Sequence, residues 1–301
     1  MFRKKTQSSQ LNAFSFLNDG ISFVSVNRDS EQPKIDAWDF IKCEAKDRLQ
    51  HLKTLAKQHI KKNSNCTIVL QPENYRLLIA EEPVVPREEL IDAIQWNVKD
   101  LLDFPIDQAT LDVFNIPAMP TPQNKINVVA CKKTLIESYA DLFNQGKLDL
   151  TIIDIEELAI RNLVYQFDIE KQGLITLLIK EDSGHIIFSH FGELYFFRRF
   201  DVGSVALKND DSKKETIALE VQRSIDYFDR SFRHLRINQL FIAPFDGDYA
   251  SMVNFLDSNL SVKSVSVNLF DHIHCEPAMP NEILVQSLVT IGAALRVDEA
   301  A

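Results

Sequence analysis

The residues best equipped for chemistry in this chain lie in glycine turns. Asn18-Asp19-Gly20 and Asp182-Ser183-Gly184 each place amide, acid or hydroxyl groups beside a glycine, between two β-rich runs. Asp246-Gly247 follows a third apolar run. Turns of this kind can aim backbone N–H donors at a phosphate and an acid at its metal ion. The whole chain, however, has only eight glycines in 301 residues, well under the roughly 7% usual in proteins. It has little material for a phosphate-cradling loop. On turn chemistry alone, Asn18-Asp19-Gly20 reads as a type I′ hairpin turn.

Other constellations carry less. His272 and His274 share a face if extended, with Asp271 and Cys275 adjacent, but no second cluster supplies further metal ligands. An exposed loop is the plainer reading, and no metal is expected. His185 and His190 flank a strand and read as structural or surface groups. No G-x-S-x-G, Walker loop or His-x-x-x-His is present, so no catalytic residue is assigned. In Phe196–Phe200, alternation puts Phe196, Arg198 and Phe200 on one face of a strand and Phe197 with Arg199 on the other. Trp96, at helical spacing after Leu90 and Ile94, reads first as core packing and second as an interface anchor.

Composition narrows the partners. Against 33 basic residues stand 43 acidic ones, a net of −10, which argues against nucleic acid. Cys43, Cys66, Cys131 and Cys275 are too scattered for a disulfide framework or a C-x-x-C site, and read as reduced thiols of a cytosolic protein. Apolar stretches such as Leu174–Ile179 fall far short of the ~20 residues that span a bilayer. The basic start Met1–Lys5 runs into polar Thr6–Gln10, unlike a secretory signal. Any membrane contact is therefore expected through a partner or a weak basic tip.

Periodicity supplies the elements that must position these groups. Ala13–Leu17, Ile21–Val26 and Ile35–Trp38 predict a three-stranded meander, followed by a helix from Asp39 to about Lys62 and a strand at Cys66–Leu70. The order recurs: strands at Leu174–Ile179, Ile186–His190 and Leu194–Phe200, a helix over Glu215–Phe232, and a strand at Ile237–Ala243. Helices near Asp248–Ser258 and Glu282–Leu295 flank a strand at Ser261–Val267. Two copies of β-β-β-α-β-α are an internal duplication, and each copy predicts a mixed sheet with helices on its faces. The expected fold is α/β, actin-like or ribonuclease-H-like, with two lobes around a cleft. The first lobe spans 1–168, with an inserted α/β subdomain at about 86–145, and the second spans 169–301.

Five segments, the second and third read as one unit, carry a family resemblance. EELIDAIQWNVKDLLDFPIDQATLDVF (Glu88–Phe114) resembles the acidic helix of PilM-type pilus-assembly proteins, with its central Trp and closing Phe-Pro. VVACKKTLIESYADLF (Val128–Phe143) with LTIIDIEELAIRNL (Leu150–Leu163), IALEVQRSIDYFDRSF (Ile217–Phe232) and LVTIGAALR (Leu288–Arg296) are similar to its later segments, in order. Within that family, length and divergence look most like the MshI branch that serves mannose-sensitive haemagglutinin (MSHA) pili. The resemblance implies a cytoplasmic actin-like scaffold, peripheral at the inner membrane, holding the cytoplasmic tail of a PilN-like bitopic protein. A second copy of the chain is a further candidate partner. The alternative is an ATP-binding regulator like PilM or GspL, in pilus or type II secretion assembly.

The resemblance also implies where nucleotide would bind, and the residues there depart from the pattern. The first phosphate loop, normally D-x-G-S/T, falls on Asn18, Asp19 and Gly20, with Asn for the acid and Ile21 for the hydroxyl. The second falls on Lys180–Gly184, where Asp182, Ser183 and Gly184 occur in the wrong order behind Lys180 and Glu181. The third, normally T-G-G-G, falls on Ala243–Gly247, where Pro244 and Phe245 precede Asp246 and Gly247. The expectation is a degenerate site, no ATP cofactor and no catalysis. For the tail, the resemblance implies a groove at the first lobe and its insert. Between the strands of Ala13–Val26 and the helix Glu88–Leu102, Glu88, Glu89, Asp92 and Trp96 are the expected contacts.

Overall fold

The computed structural model describes residues 10–28, 32–61, 64–117 and 125–296. In the first repeat, β1 (Gln10–Phe16), β2 (Gly20–Asn27) and β3 (Lys34–Lys42) form an antiparallel meander, followed by α1 (Arg48–His59) and β4 (Asn65–Leu70). Then come β5 (Tyr75–Glu81), α2 (Leu90–Val98), β6 (Ala109–Asn115), β7 (Lys125–Lys132), α3 (Lys133–Gly146), β8 (Asp149–Ile155) and α4 (Glu156–Val164). The second repeat has β9 (Leu174–Ile179), β10 (Gly184–His190), β11 (Glu193–Phe200), α5 (Ser204–Asn209), α6 (Lys213–Ser231), β12 (Gln239–Ile242), α7 (Tyr249–Asn259) and β13 (Lys263–Val265). β14 (His274–Cys275) and α8 (Asn281–Ala294) complete the described chain.

The two repeats build two separate sheets of one plan. The first is ordered β3-β2-β1-β4-β8 with β14 added beside β3, the second β11-β10-β9-β12-β13. In both, the first three strands are antiparallel and the remaining pairs parallel. Strand alternation explains how each sheet is covered on both faces. In the first, Phe14, Phe16, Ile21 and Phe23 point outward to α1 and α3, while Ala13, Val24 and Val26 point to α4 and α8. In the second, Ile175, Leu177 and Ile179 meet α6 and α7, while Leu174 and Leu178 join the same central core.

Four boundaries differ from the sequence expectation. The first helix starts at Arg48, not Asp39, because Trp38, Asp39 and Phe40 remain in β3 opposite Val24, Phe23 and Ser22. The insert has its own sheet, ordered β5-β7-β6, whose first strand begins at Tyr75, ahead of the expected start at 86. Leu90, Ile94 and Val98 of α2 close one face of it. The far end also differs: α3 places Tyr139 and Phe143 in the first lobe's outer core, outside the insert. Finally, the expected second lobe at 169–301 loses its end. β14 pairs with β3, and α8 is sealed to β1 and β2 by two buried hydroxyl pairs, Thr290–Ser15 at 2.9 Å and Ser22–Ser287 at 3.0 Å.

Candidate functional site

In open α/β sheets, ligands bind beyond the carboxyl ends of parallel strands. β1, β4 and β8 end together at Phe16, Leu70 and Ile155, and β9 ends beside β12 at Ile179 and Ile242. The glycine turns extend from these edges. Lys180, just past β9, reaches Glu156, just past β8, with Nζ 2.7 Å from Oε2. The carboxyl edges of the two sheets therefore meet, and this cleft is the candidate site.

Each glycine turn is tied into the packing around it. Asn18 and Asp19 are exposed, and neither has a positive φ. The expected type I′ turn is therefore absent there; a left-handed pair occurs instead at Phe191 (φ 50°) and Gly192 (φ 75°), between β10 and β11. Gly20 is needed for a different reason: a Cβ on it would lie 2.4 Å from the Ile41 carbonyl oxygen of β3. At the second turn, Asp182 is exposed and Ser183 half-buried, while a Cβ on Gly184 would meet the Phe200 ring at 2.0 Å. The carbonyls of Lys180 and Glu181 accept from the Ser204 and Val205 N–H groups at 2.7 and 3.1 Å, which engages the N-terminus of α5. At the third, Phe245 is buried in the outer core, and the Asp246 carboxylate pairs with Lys208 at 2.5 Å. Gly247 donates its N–H to the Phe245 carbonyl at 3.1 Å.

What fills the cleft is a strip of buried acids that the sequence reading passed over. Asp154, Glu156 and Glu157 are each no more than 2% exposed. Every one is met by a cation from a distant part of the chain. Asp154 Oδ2 lies 3.1 Å from Arg296 Nη1. Glu156 takes Lys180 and, on its other oxygen, His185 Nδ1. Glu157 accepts from Arg199 Nη2 at 2.6 Å and Nε at 3.0 Å, and from the Tyr75 hydroxyl at 2.5 Å. Arg199 also lies over the Tyr75 ring, 4.6 Å from its centroid, and donates to the Pro72 carbonyl at 3.0 Å. Insert, first lobe and second lobe thus converge on two consecutive glutamates.

Burial alone would raise the Glu156 carboxyl, but Lys180 and His185 outweigh it and hold it well below the usual carboxylate range. Burial, reinforced by Glu157, pushes the Tyr75 hydroxyl well up, so it stays a proton donor. Burial also raises the Cys66 and Cys131 thiols, to about 12 and about 11, which leaves them unreactive at neutral pH. The signal that could have revealed the strip was the run Asp-Ile-Glu-Glu closing an apolar strand, where charge is costly unless paired.

The remaining candidates lie elsewhere. His272 packs against the Phe167 ring at 5.3 Å, and His274 is exposed beside Glu276. Among the described residues no group of three or more His, Cys, Asp or Glu is placed to hold a metal ion. On the insert, Glu88, Glu89 and Asp92 are exposed. Trp96 is 67% exposed, opposite the buried Leu90–Ile94–Val98 stripe, with Lys99 Nζ 5.3 Å from its ring centroid. The core reading of Trp96 is thus corrected. So is the expected surface between it and Ala13–Val26: β1 and β2 lie inside the sheet, buried on both faces. The concavity at the junction of insert and first lobe is instead a pocket of about 400 Å³, lined by Asn74, Tyr75, Arg76, Phe104, Lys132 and Leu135. Its rim carries the Arg76–Asp103 pair at 2.5 Å. No described helix is long and apolar enough to cross a membrane.

No family model and no curated protein sequence matches the chain. Solved structures do. A PilM–PilN type IV pilus biogenesis complex superposes with a TM-score of 0.72 over 95% of this chain and 97% of that one, at 14% identity. The cytoplasmic domain of EpsL, an inner-membrane component of the type II secretion system of Vibrio cholerae, gives 0.54 over 93% and 94%, at 10% identity. A Bacteroides thetaiotaomicron protein with an actin-like ATPase fold and unknown function gives 0.49, at 10% identity. The fold of the chain is actin-like.

Proposed function

We propose that the protein is a non-catalytic scaffold of the inner-membrane assembly platform of an MSHA-type type IV pilus, holding the cytoplasmic tail of a PilN-like bitopic protein. The observation that carries the non-catalytic part is the occupied cleft. Lys180 neutralises Glu156 and His185 Nδ1 meets its other oxygen where a nucleotide's phosphates and metal would be received, and Phe245 fills the third loop. The assembly role draws support from the whole-length likeness to a chain of a PilM–PilN type IV pilus biogenesis complex, together with the collinear segments of the sequence.

In this reading the tail lies in the pocket at the root of the insert and runs along the outer face of α2. Extended tails bind by filling pockets and adding to sheet edges, and β5 and β6 are edge strands. Glu88, Glu89 and Asp92 suit the lysines and arginines that flank membrane spans on the cytoplasmic side, and exposed Trp96 supplies an apolar anchor. Two measurements test the proposal. Millimolar Mg-ATP should leave the melting temperature unchanged, whereas a ligand at a hundred times its Kd adds about 2.7 kcal/mol; a clear rise sinks the non-catalytic reading. Tail peptide should be captured by wild type at low salt and lost with Glu88→Lys, Glu89→Lys and Asp92→Lys combined. Equal capture by both moves the site.

A further inference from the structure

The pocket at the root of the insert has two walls of different construction. One is the first part of α3, including Leu135 and Ser138. That helix is anchored in the first lobe's outer core by buried Tyr139 and Phe143. The other wall is four consecutive residues, Glu73, Asn74, Tyr75 and Arg76. It opens with the single 3-10 turn Pro72–Asn74, which buries none of its residues. Within the turn, the Asn74 N–H donates to the Gln71 carbonyl at 2.8 Å. Hydrogen bonds of this kind have poorer geometry than those of an α-helix, so the turn holds its own shape weakly.

Its support comes from the second lobe. Arg199 of β11 donates from Nη1 to the Pro72 carbonyl at 3.0 Å, at the front of the turn. The same guanidinium lies over the Tyr75 ring, 4.6 Å from its centroid, just behind the turn. Glu73 and Asn74 therefore sit between two points gripped by one side chain. Glu157 locks the grip: one carboxylate oxygen accepts from Arg199 Nη2 and Nε at 2.6 and 3.0 Å, the other from the Tyr75 hydroxyl at 2.5 Å. The Tyr75 hydroxyl oxygen in turn accepts from the Glu156 N–H at 3.2 Å. Only a planar guanidinium can serve a carboxylate, a carbonyl and a ring face at once. Lys180, the other second-lobe lysine or arginine in the cleft, ends on Glu156 instead.

We propose that Arg199 is a positioning residue of this pocket: the second lobe shapes the wall of residues 73–76, and the pocket is complete only while the lobes are closed on each other. A wall held in place in advance spares a ligand the cost of ordering it. Occupancy of the pocket and closure of the lobes then favour one another by the same factor. What the pocket holds rests on the tail reading; what shapes it does not.

The test uses the full chain, and its first arm needs no ligand. Arg199→Ala alone would strand the Glu157 carboxylate, so the variant is Arg199→Met combined with Glu157→Gln, which leaves neither charge behind. Native-state amide exchange reads local opening. In this variant it should quicken about fivefold or more over residues 73–77, with residues 135–143 of α3 unchanged. Lys180→Met should leave both segments as in wild type. Arg199→Lys keeps the charge without the planar fork, so it should hold the melting temperature near wild type but not protect residues 73–77. Unchanged exchange in the paired variant overturns the proposal, as does equal quickening by Lys180→Met or full protection by Arg199→Lys. In the second arm, tail peptide should bind the paired variant about fivefold more weakly than wild type; equal affinity also overturns the proposal. Peptide that binds neither protein overturns the tail reading alone, and the exchange arm still decides the role of Arg199.

Discussion

The turn after β1 and the turn after β9 occupy the same place in two copies of one topology, yet they do opposite things. The first leaves Asn18 and Asp19 in solvent and bonds mainly to its own lobe: Arg48 Nη2 donates to the Leu17 carbonyl at 3.0 Å, and the Cys43 N–H to the Asp19 carbonyl at 3.2 Å. The second sends Lys180 across the cleft into a buried carboxylate. Even their glycines differ in purpose, one admitting a backbone carbonyl and the other a phenyl ring. Duplication preserved the strand order while the loops diverged. The second turn satisfies a buried group of the other lobe directly, and the first does not.

That contrast can be broken most forcefully at Glu156. Glu156→Ala leaves Lys180 and His185 facing an apolar gap, and removal of one partner from a buried pair costs roughly 3–5 kcal/mol. Asp19→Ala, at the exposed turn, should change stability by no more than about 0.5 kcal/mol. Denaturant titration of both variants reads the difference directly; equal effects would mean the cleft pair is not buried as described. Next in size come the glycines. Added volume in a packed site costs about 1–3 kcal/mol. Gly20→Ala should fall at the upper end, since the Ile41 carbonyl is part of a strand ladder, and Gly184→Ala lower, since the Phe200 ring can turn. The reverse order would show the second turn to be the more rigid.

Acid titration sharpens the same comparison. Glu156 is held below its unfolded value, so its contribution is whole above about pH 4.5 and is lost as pH falls toward the lower folded value. Wild type should therefore lose stability more steeply below about pH 4.5 than Glu156→Gln does. Parallel curves would separate Glu156 from the acid response. The smallest effect is expected on the insert: Trp96→Ala should leave stability within about 0.5 kcal/mol while weakening tail capture. A large stability loss would return Trp96 to a packing role.

Much of the architecture was written in local pattern. Leu174–Ile179 is a strand over the span that its apolar run predicted, and the alternation of Phe196–Phe200 put Arg199 opposite Phe196 and Phe200, as expected. Where local pattern misled, tertiary pairing had overridden it. Phe40 falls near helical spacing with Leu49 and Leu52, but it and Asp39 are captured by β2. β5 was passed over because its residues gain a strand's hydrogen bonds only when β7, some fifty positions later, arrives beside it.

By itself the sequence determined the duplication, the three-strand meanders, the scarcity of glycine and the acidic helix of the insert. Each of these is encoded by residues within a few positions of one another, through periodicity, turn chemistry or composition. Only the tertiary structure decided that Asp154, Glu156 and Glu157 are buried and neutralised, that Trp96 faces solvent, and that β14 and α8 return to the first sheet. The physical reason is common to all three. The energy of a buried charge, an exposed ring or an edge strand is set by whatever stands across from it, and here that neighbour is supplied from distant sequence: Lys180 for Glu156, Arg296 for Asp154, and β3 for β14.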